Sequence, residues 1–101
     1  MSNAAIRGEG GHFQVSGELC FDTVNALLAE SQSTIFAHST PLFELDLGAV
    51  SRADSAGLAL LIQWMRMAHA NNSEIRFHNL PQQLLAIARA GELEPLLPVA
   101  E

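Results

Sequence analysis

The chain has 101 residues, 49% of them hydrophobic and 16% charged, which suits one folded domain over residues 1–101 and excludes a disordered one. Five Arg, no Lys and eleven acidic residues leave a formal net charge of −6, which disfavours nucleic acid and anionic membranes as direct partners, since both need clustered cations. The single Cys20 excludes an internal disulfide and a cysteine zinc site and fits a reduced, cytosolic setting, and the longest apolar run, Ala56 to Ile62, falls far short of the roughly 20 residues that insert across a bilayer.

In chain order, Met1-Ser-Asn-Ala matches a common expression-tag remnant and is assigned no function. Ile6 to Gly11 carries three glycines and reads as a turn, with room for a short strand before it. His12 to Ser16 alternates, with Phe13 and Val15 on one face, and predicts a strand. Ser16 to Leu19 then leads toward a helix in which Phe21, Val24, Leu27, Leu28 and Ser31 recur at helical spacing, with Asp22 and Thr23 available to cap it. Leu42 to Leu47 predicts a second strand, with Phe43, Leu45 and Leu47 inward and Glu44 and Asp46 outward. A connection from Gly48 follows, and Asp54 or Ser55 is placed to cap a helix running to about Ala70 and stopped by Asn71-Asn72. Glu74 to His78 predicts a third strand, with Ile75 and Phe77 inward. Pro81 opens and Gly91 closes a last helix with Leu84, Ile87 and Ala88 as its apolar stripe. The tail from Leu93 to Pro98 is apolar enough to dock. Strands alternating with helices imply a small α/β sandwich: a mixed, mostly parallel sheet with helices mainly on one face.

Few residues suggest chemistry. Ala53-Asp54-Ser55-Ala56-Gly57 superficially resembles a nucleophile elbow, but Ala53 replaces its first glycine, seven residues separate Leu47 from Ser55, and no Asp follows Ser55. His12, His38, His69 and His78 form no i, i+4 pair, and a Lys-free chain has no P-loop. Cys20 reads as a packed thiol. No catalytic residue, metal or cofactor is expected. Two features remain. Ser55, at a helix start where the dipole favours negative groups, is either an N-cap or a regulated hydroxyl and contact surface; local pattern alone favours the cap. The helix it opens has an apolar arc of roughly 220°, formed by Leu58, Leu60, Leu61, Ile62, Trp64, Met65 and Met67. Burial against a sheet and a neighbouring helix accounts for such an arc, and so does an interface edge near Leu60, Trp64 and Met67.

The strand Phe43-Glu-Leu-Asp-Leu47, the run Asp54-Ser55-Ala56-Gly57-Leu58 and the order of elements resemble the STAS domain family over nearly the whole chain. Ser16-Gly17-Glu18-Leu19, Val50-Ser51-Arg52 and the continuation Ala59-Leu60-Leu61 are similar to its Mla-type branch, the small STAS subunits of phospholipid-transport ABC complexes of Gram-negative bacteria. The resemblance implies a non-enzymatic, cytoplasmic adaptor, peripheral to the inner membrane through its complex. Such an adaptor binds an MlaF-like ABC ATPase subunit, and through it the membrane permease, in a transporter that maintains outer-membrane lipid asymmetry. It implies partner contact at Asp54, Ser55, Ala56 and Gly57, with Leu60, Trp64 and Met67 as apolar support. It also implies an alternative, an anti-sigma factor antagonist switched by phosphorylation of Ser55. There Ala56 departs from the antagonists' second serine and leaves the phosphoacceptor position intact.

Overall fold

The computed structural model describes residues 4–100; of the tag-like start, Met1, Ser2 and Asn3 lie outside them. Strand β1 (Ala5–Glu9) and strand β2 (His12–Leu19) form an antiparallel hairpin. Gly10 and Gly11 make its two-residue turn with φ of 62° and 84°, the left-handed pair that suits the twist of a tight hairpin and that glycine adopts without strain. The predicted turn over Ile6–Gly11 is therefore confined to that pair, and Ile6 to Glu9 is strand. Ser16 to Leu19 does not lead into a helix either; it prolongs β2.

Helix α1 runs Val24–Ser33, and a short 3-10 turn follows at Ile35–Ala37. Phe21 precedes α1 rather than joining its stripe, while Leu27 and Ser31 are buried as their spacing predicts. Thr23 stands at the N-cap position, but its hydroxyl turns back to β2, donating to the Glu18 carbonyl and accepting from the Cys20 N–H. Strand β3 spans Leu42–Ala53, six residues beyond the predicted end at Leu47. Its second half pairs with the second half of β2, Ser16 to Leu19, across two register shifts. Helix α2 (Ser55–Ala70), strand β4 (Glu74–His78) and helix α3 (Gln82–Ala90) fall where the sequence puts them.

The sheet order is β1-β2-β3-β4, parallel except for the first pair. Phe13, Val15, Phe43, Leu45, Leu47, Ile75 and Phe77 face one core with Leu27 of α1, Leu61 and Trp64 of α2, and Leu84 and Ala88 of α3. The opposite sheet face is polar. The tail docks as expected: Leu97 is buried, the Phe77 N–H donates to the Pro98 carbonyl, and the Ala100 N–H donates to the Phe77 carbonyl. It thereby covers part of the β4 edge, which would otherwise offer unpaired backbone to another chain.

Candidate functional site

The long β3 delivers the chain to a junction where β2, α1 and α2 meet. The Asp54 N–H donates to the Leu19 carbonyl at 3.2 Å, fixing the turn to the end of β2. Asp54 Oδ1 accepts from the Ala56 N–H at 2.8 Å and is the N-cap of α2. Its other oxygen, Oδ2, accepts from the Phe21 N–H at 3.1 Å. The Asp54 carbonyl accepts from Gly57 and Leu58. One residue thus closes the first turn of α2 and ties down the loop ahead of α1. Loss of a cap typically costs about 1 kcal/mol, and the Phe21 bond is lost with it. Asp54→Ala is expected to lower unfolding free energy by about 1–2 kcal/mol in denaturant titration. Asp54→Asn, which keeps one acceptor oxygen, should lose less; equal losses would contradict this account.

Ser55, the first residue of α2, is exposed, and its hydroxyl makes no hydrogen bond among the described residues. The cap therefore belongs to Asp54, and Ser55 stands open for contact or modification.

Gly57 has a tertiary reason. A Cβ placed there would lie 2.5 Å from the Leu19 carbonyl oxygen and 3.0 Å from Leu19 Cβ. Glycine lets α2 approach the end of β2 closely enough for the Asp54 bonds to form. Gly57→Ala gains up to about 1 kcal/mol in helix propensity but forces two backbones apart, an overpacking cost of roughly 1–3 kcal/mol. A lowered midpoint in thermal unfolding is the expected result; a midpoint equal to or above wild type would contradict the close-approach explanation.

Around the junction, Arg52 pairs with Glu18 at 3.5 Å. The Cys20 side chain first, and then the Glu18 charge, hold its guanidinium above the ordinary arginine range. Cys20 itself is buried, as expected of a packed thiol. The predicted apolar edge of α2 needs correction. Trp64 is 0% exposed and Leu60 4%, because α2 is covered by the sheet, α1 and α3 together. Trp64 is a core residue and presents nothing to a partner; Met67 is half-buried. The apolar surface lies one strip over. Ala56, Ala59 and Gln63 of α2 face Phe21, Val24 and Leu28 across a concavity of about 350 Å³, with Leu60 on its lining. Phe21 is 79% exposed and was placed by its spacing inside a helix. Neither Asp22 nor Thr23 makes a capping bond to α1, so no side-chain cap marks Phe21 as lying outside the helix.

The open sheet face carries a second group of polar residues, of which spacing had placed only Glu44 and Asp46 on one face. Glu44 meets His12 Nδ1 at 3.3 Å and His78 Nε2 at 3.0 Å. Asp46 accepts from the Gly48 N–H at 2.8 Å and from Asn79 Nδ2 at 3.1 Å. The Gly48 bond first, and then Asn79, hold its carboxyl below the usual carboxylate range. Among the described residues no three His, Cys, Asp or Glu side chains are disposed to hold a metal ion, and no helix is long and apolar enough to cross a membrane.

A family profile described as "Mlab, STAS domain" matches residues 2–98. The chain belongs to this MlaB-type STAS domain family, whose members are generally non-enzymatic regulatory or adaptor domains. No curated protein sequence matches it significantly. Solved structures with a similar fold include anti-sigma factor antagonists. The unphosphorylated form of the antagonist SpoIIAA is 19% identical with a TM-score of 0.72, covering 97% of this chain and 88% of that one. The phosphorylated form of the same Bacillus cell-fate determinant is 19% identical with a TM-score of 0.68, covering 97% and 91%. An antagonist from Mycobacterium paratuberculosis is 21% identical with a TM-score of 0.74, covering 95% and 82%. At these identities the likeness establishes the mixed α/β STAS fold alone.

Proposed function

We propose that the chain is a non-catalytic adaptor that binds the ABC ATPase subunit of a phospholipid-transport complex through the surface at the start of α2. The binding surface comprises Asp54, Ser55 and Ala56, with Gly57 beneath them holding α2 against β2. The observation that carries the reading is the match of residues 2–98 to the MlaB-type branch, joined to an exposed Ser55 on a turn already capped by Asp54. A capped turn keeps its geometry when a partner covers it, so docking there has little ordering cost. The adaptor works in the cytoplasm, against the inner membrane only through its complex; a net charge of −6 opposes direct attachment to anionic lipid.

A second reading has equal support: an anti-sigma factor antagonist whose Ser55 is phosphorylated. It draws on the unbonded Ser55 hydroxyl and on the likeness to an antagonist solved with and without phosphorylation. Asp54 bears on it, because its carboxylate and carbonyl already occupy the N–H groups of Ala56, Gly57 and Leu58. A phosphate on Ser55 would stand beside a carboxylate, and like charges repel.

The two readings separate in parallel pull-downs with the tagged chain, one against a purified ABC ATPase of a phospholipid-transport complex and one against an anti-sigma serine kinase with ATP. The adaptor reading expects a stable complex with the ATPase and no gain of mass at Ser55. A kinase complex with phosphorylated Ser55 and no retained ATPase would replace it with the second reading.

A further inference from the structure

We infer that the open face of the sheet receives a second copy of the chain, stacked face to face about a two-fold axis parallel to the strands. Helices α1, α2 and α3 share one core with the opposite face, and no described element covers this side. Parallel strands, which make up most of this sheet, are covered on both faces in most folds. The inference is independent of the adaptor reading, because the start of α2 belongs to the helical layer on the other side.

The strand registers set the face out in rows. Ile6, Phe13, Phe43, Ile75 and Phe77 turn into the core, so the residues between them turn outward. Glu9 lies beside His12, His12 beside Glu44, and Glu44 beside Arg76. From β1 to β4 this row runs acid, imidazole, acid, guanidinium. The next row along the strands is Arg7, Gln14, Asp46 and His78. Glu44 is partnered within the chain by His12 and His78. Arg7, Glu9 and Arg76 are exposed and have no ion-pair partner among the described residues.

The order of charge selects the occupant and the symmetry. An axis parallel to the strands lays β1 over the partner's β4 and β2 over its β3, and keeps each row opposite itself. The first row then meets its own reverse. Glu9 faces the partner's Arg76 and His12 faces the partner's Glu44, and each contact occurs twice, as a two-fold interface requires. In the second row Gln14 faces the partner's Asp46. Arg7 faces the partner's His78, whose neutral ring accepts through Nδ1. Glu74, one row further on β4, meets the partner's Gly10-Gly11 turn, which carries no side chain. An axis perpendicular to the strands exchanges the rows and sets Glu44 on the partner's Asp46, like on like. A partner of one sign meets half of the first row with its own charge.

Stacked sheets align to within about 30°, so the inner His12 and Glu44 positions stay in register and the long Arg76 reaches the outer one. The patch is about 20 Å across at about 4.8 Å per strand. That is small for a stable dimer, and it takes charges out of water, so the association is weak and salt-sensitive.

Sedimentation equilibrium of the full chain from about 10 µM to about 1 mM tests this. A monomer–dimer equilibrium is expected, with a dissociation constant rising about 10-fold between about 0.05 M and about 0.5 M salt. Glu9→Arg and Arg76→Glu should each weaken dimerisation about 10-fold or more, with unfolding midpoints close to wild type. Mixed in equal amounts, the two variants should associate within about 3-fold of wild type, because each supplies the charge the other has lost. Arg66→Glu, at an exposed cation of α2, should leave the constant unchanged. A monomer at every concentration, a dimer indifferent to salt, or a dimer that Glu9→Arg leaves intact would overturn the inference. So would single variants that weaken the dimer without recovery on mixing.

Discussion

Trp64→Ala is expected to unfold the protein or leave it at the margin of stability. The indole is 0% exposed, in the single core that joins α2 to the sheet and to the other helices. Removing a buried Trp typically costs 3–5 kcal/mol through lost burial and the cavity left behind. Domains of this size hold only about 5–15 kcal/mol in total. The indole Nε1 has no hydrogen-bond partner among the described residues, so the side chain contributes volume rather than a polar contact. Trp64→Phe should therefore cost much less than Trp64→Ala, because it keeps most of the packing and removes an unpaired buried donor. Chemical denaturation of the two variants measures this. A Trp64→Ala variant with wild-type stability that fails to bind the ATPase would show the indole to be an interface residue instead.

Ser55→Arg is expected to separate binding from folding in the opposite sense. Ser55 is exposed, so an arginine there fits in the free protein without a clash. A cation at the positive end of a helix dipole costs about 0.3–1 kcal/mol. Within a closed interface the same side chain is an unpaired charge removed from water. Such losses run to roughly 2–5 kcal/mol, about 30-fold or more in affinity. The unfolding midpoint should shift slightly and the dissociation constant strongly, measured on one preparation. A wild-type dissociation constant would leave Ser55 outside the interface.

The elements legible in the sequence were those whose ends carry chemical stops. Helix α2 was bounded by Asp54 and by Asn71-Asn72, and strand β4 by simple alternation around Ile75 and Phe77. The second half of β3 carried no such pattern. Gly48 to Arg52 are exposed or half-buried in succession, and what makes them a strand is backbone pairing with Ser16 to Leu19 of β2. Where neither face of a strand is buried in alternation, backbone pairing with a distant segment leaves no periodic signal to read. The same pairing turned the predicted approach to α1 into strand and placed Phe21 outside the helix.

At the site, the motif marked Asp54, Ser55 and Gly57, but the reasons differ by residue. Capping by Asp54 is local and was legible. The second bond of Asp54, to Phe21, crosses 33 positions of sequence, and the need for glycine at position 57 arises from the Leu19 carbonyl of another element. The breadth of the α2 apolar arc was correctly read from spacing. Which part of it stays uncovered depended on where α1 and α3 pack, which spacing within α2 does not encode. Leu60 and Trp64 were consequently assigned to an edge that the fold closes, while Ala59 beside them was not assigned to the surface.

Calorimetric titration of a purified ABC ATPase from a phospholipid-transport complex with the wild-type chain, repeated with Ser55→Arg, tests the adaptor reading most directly. Saturable binding at one chain per ATPase subunit, weakened at least 30-fold by the substitution, is the result the account predicts. Absence of binding by the wild-type chain, or equal binding by both, would contradict it.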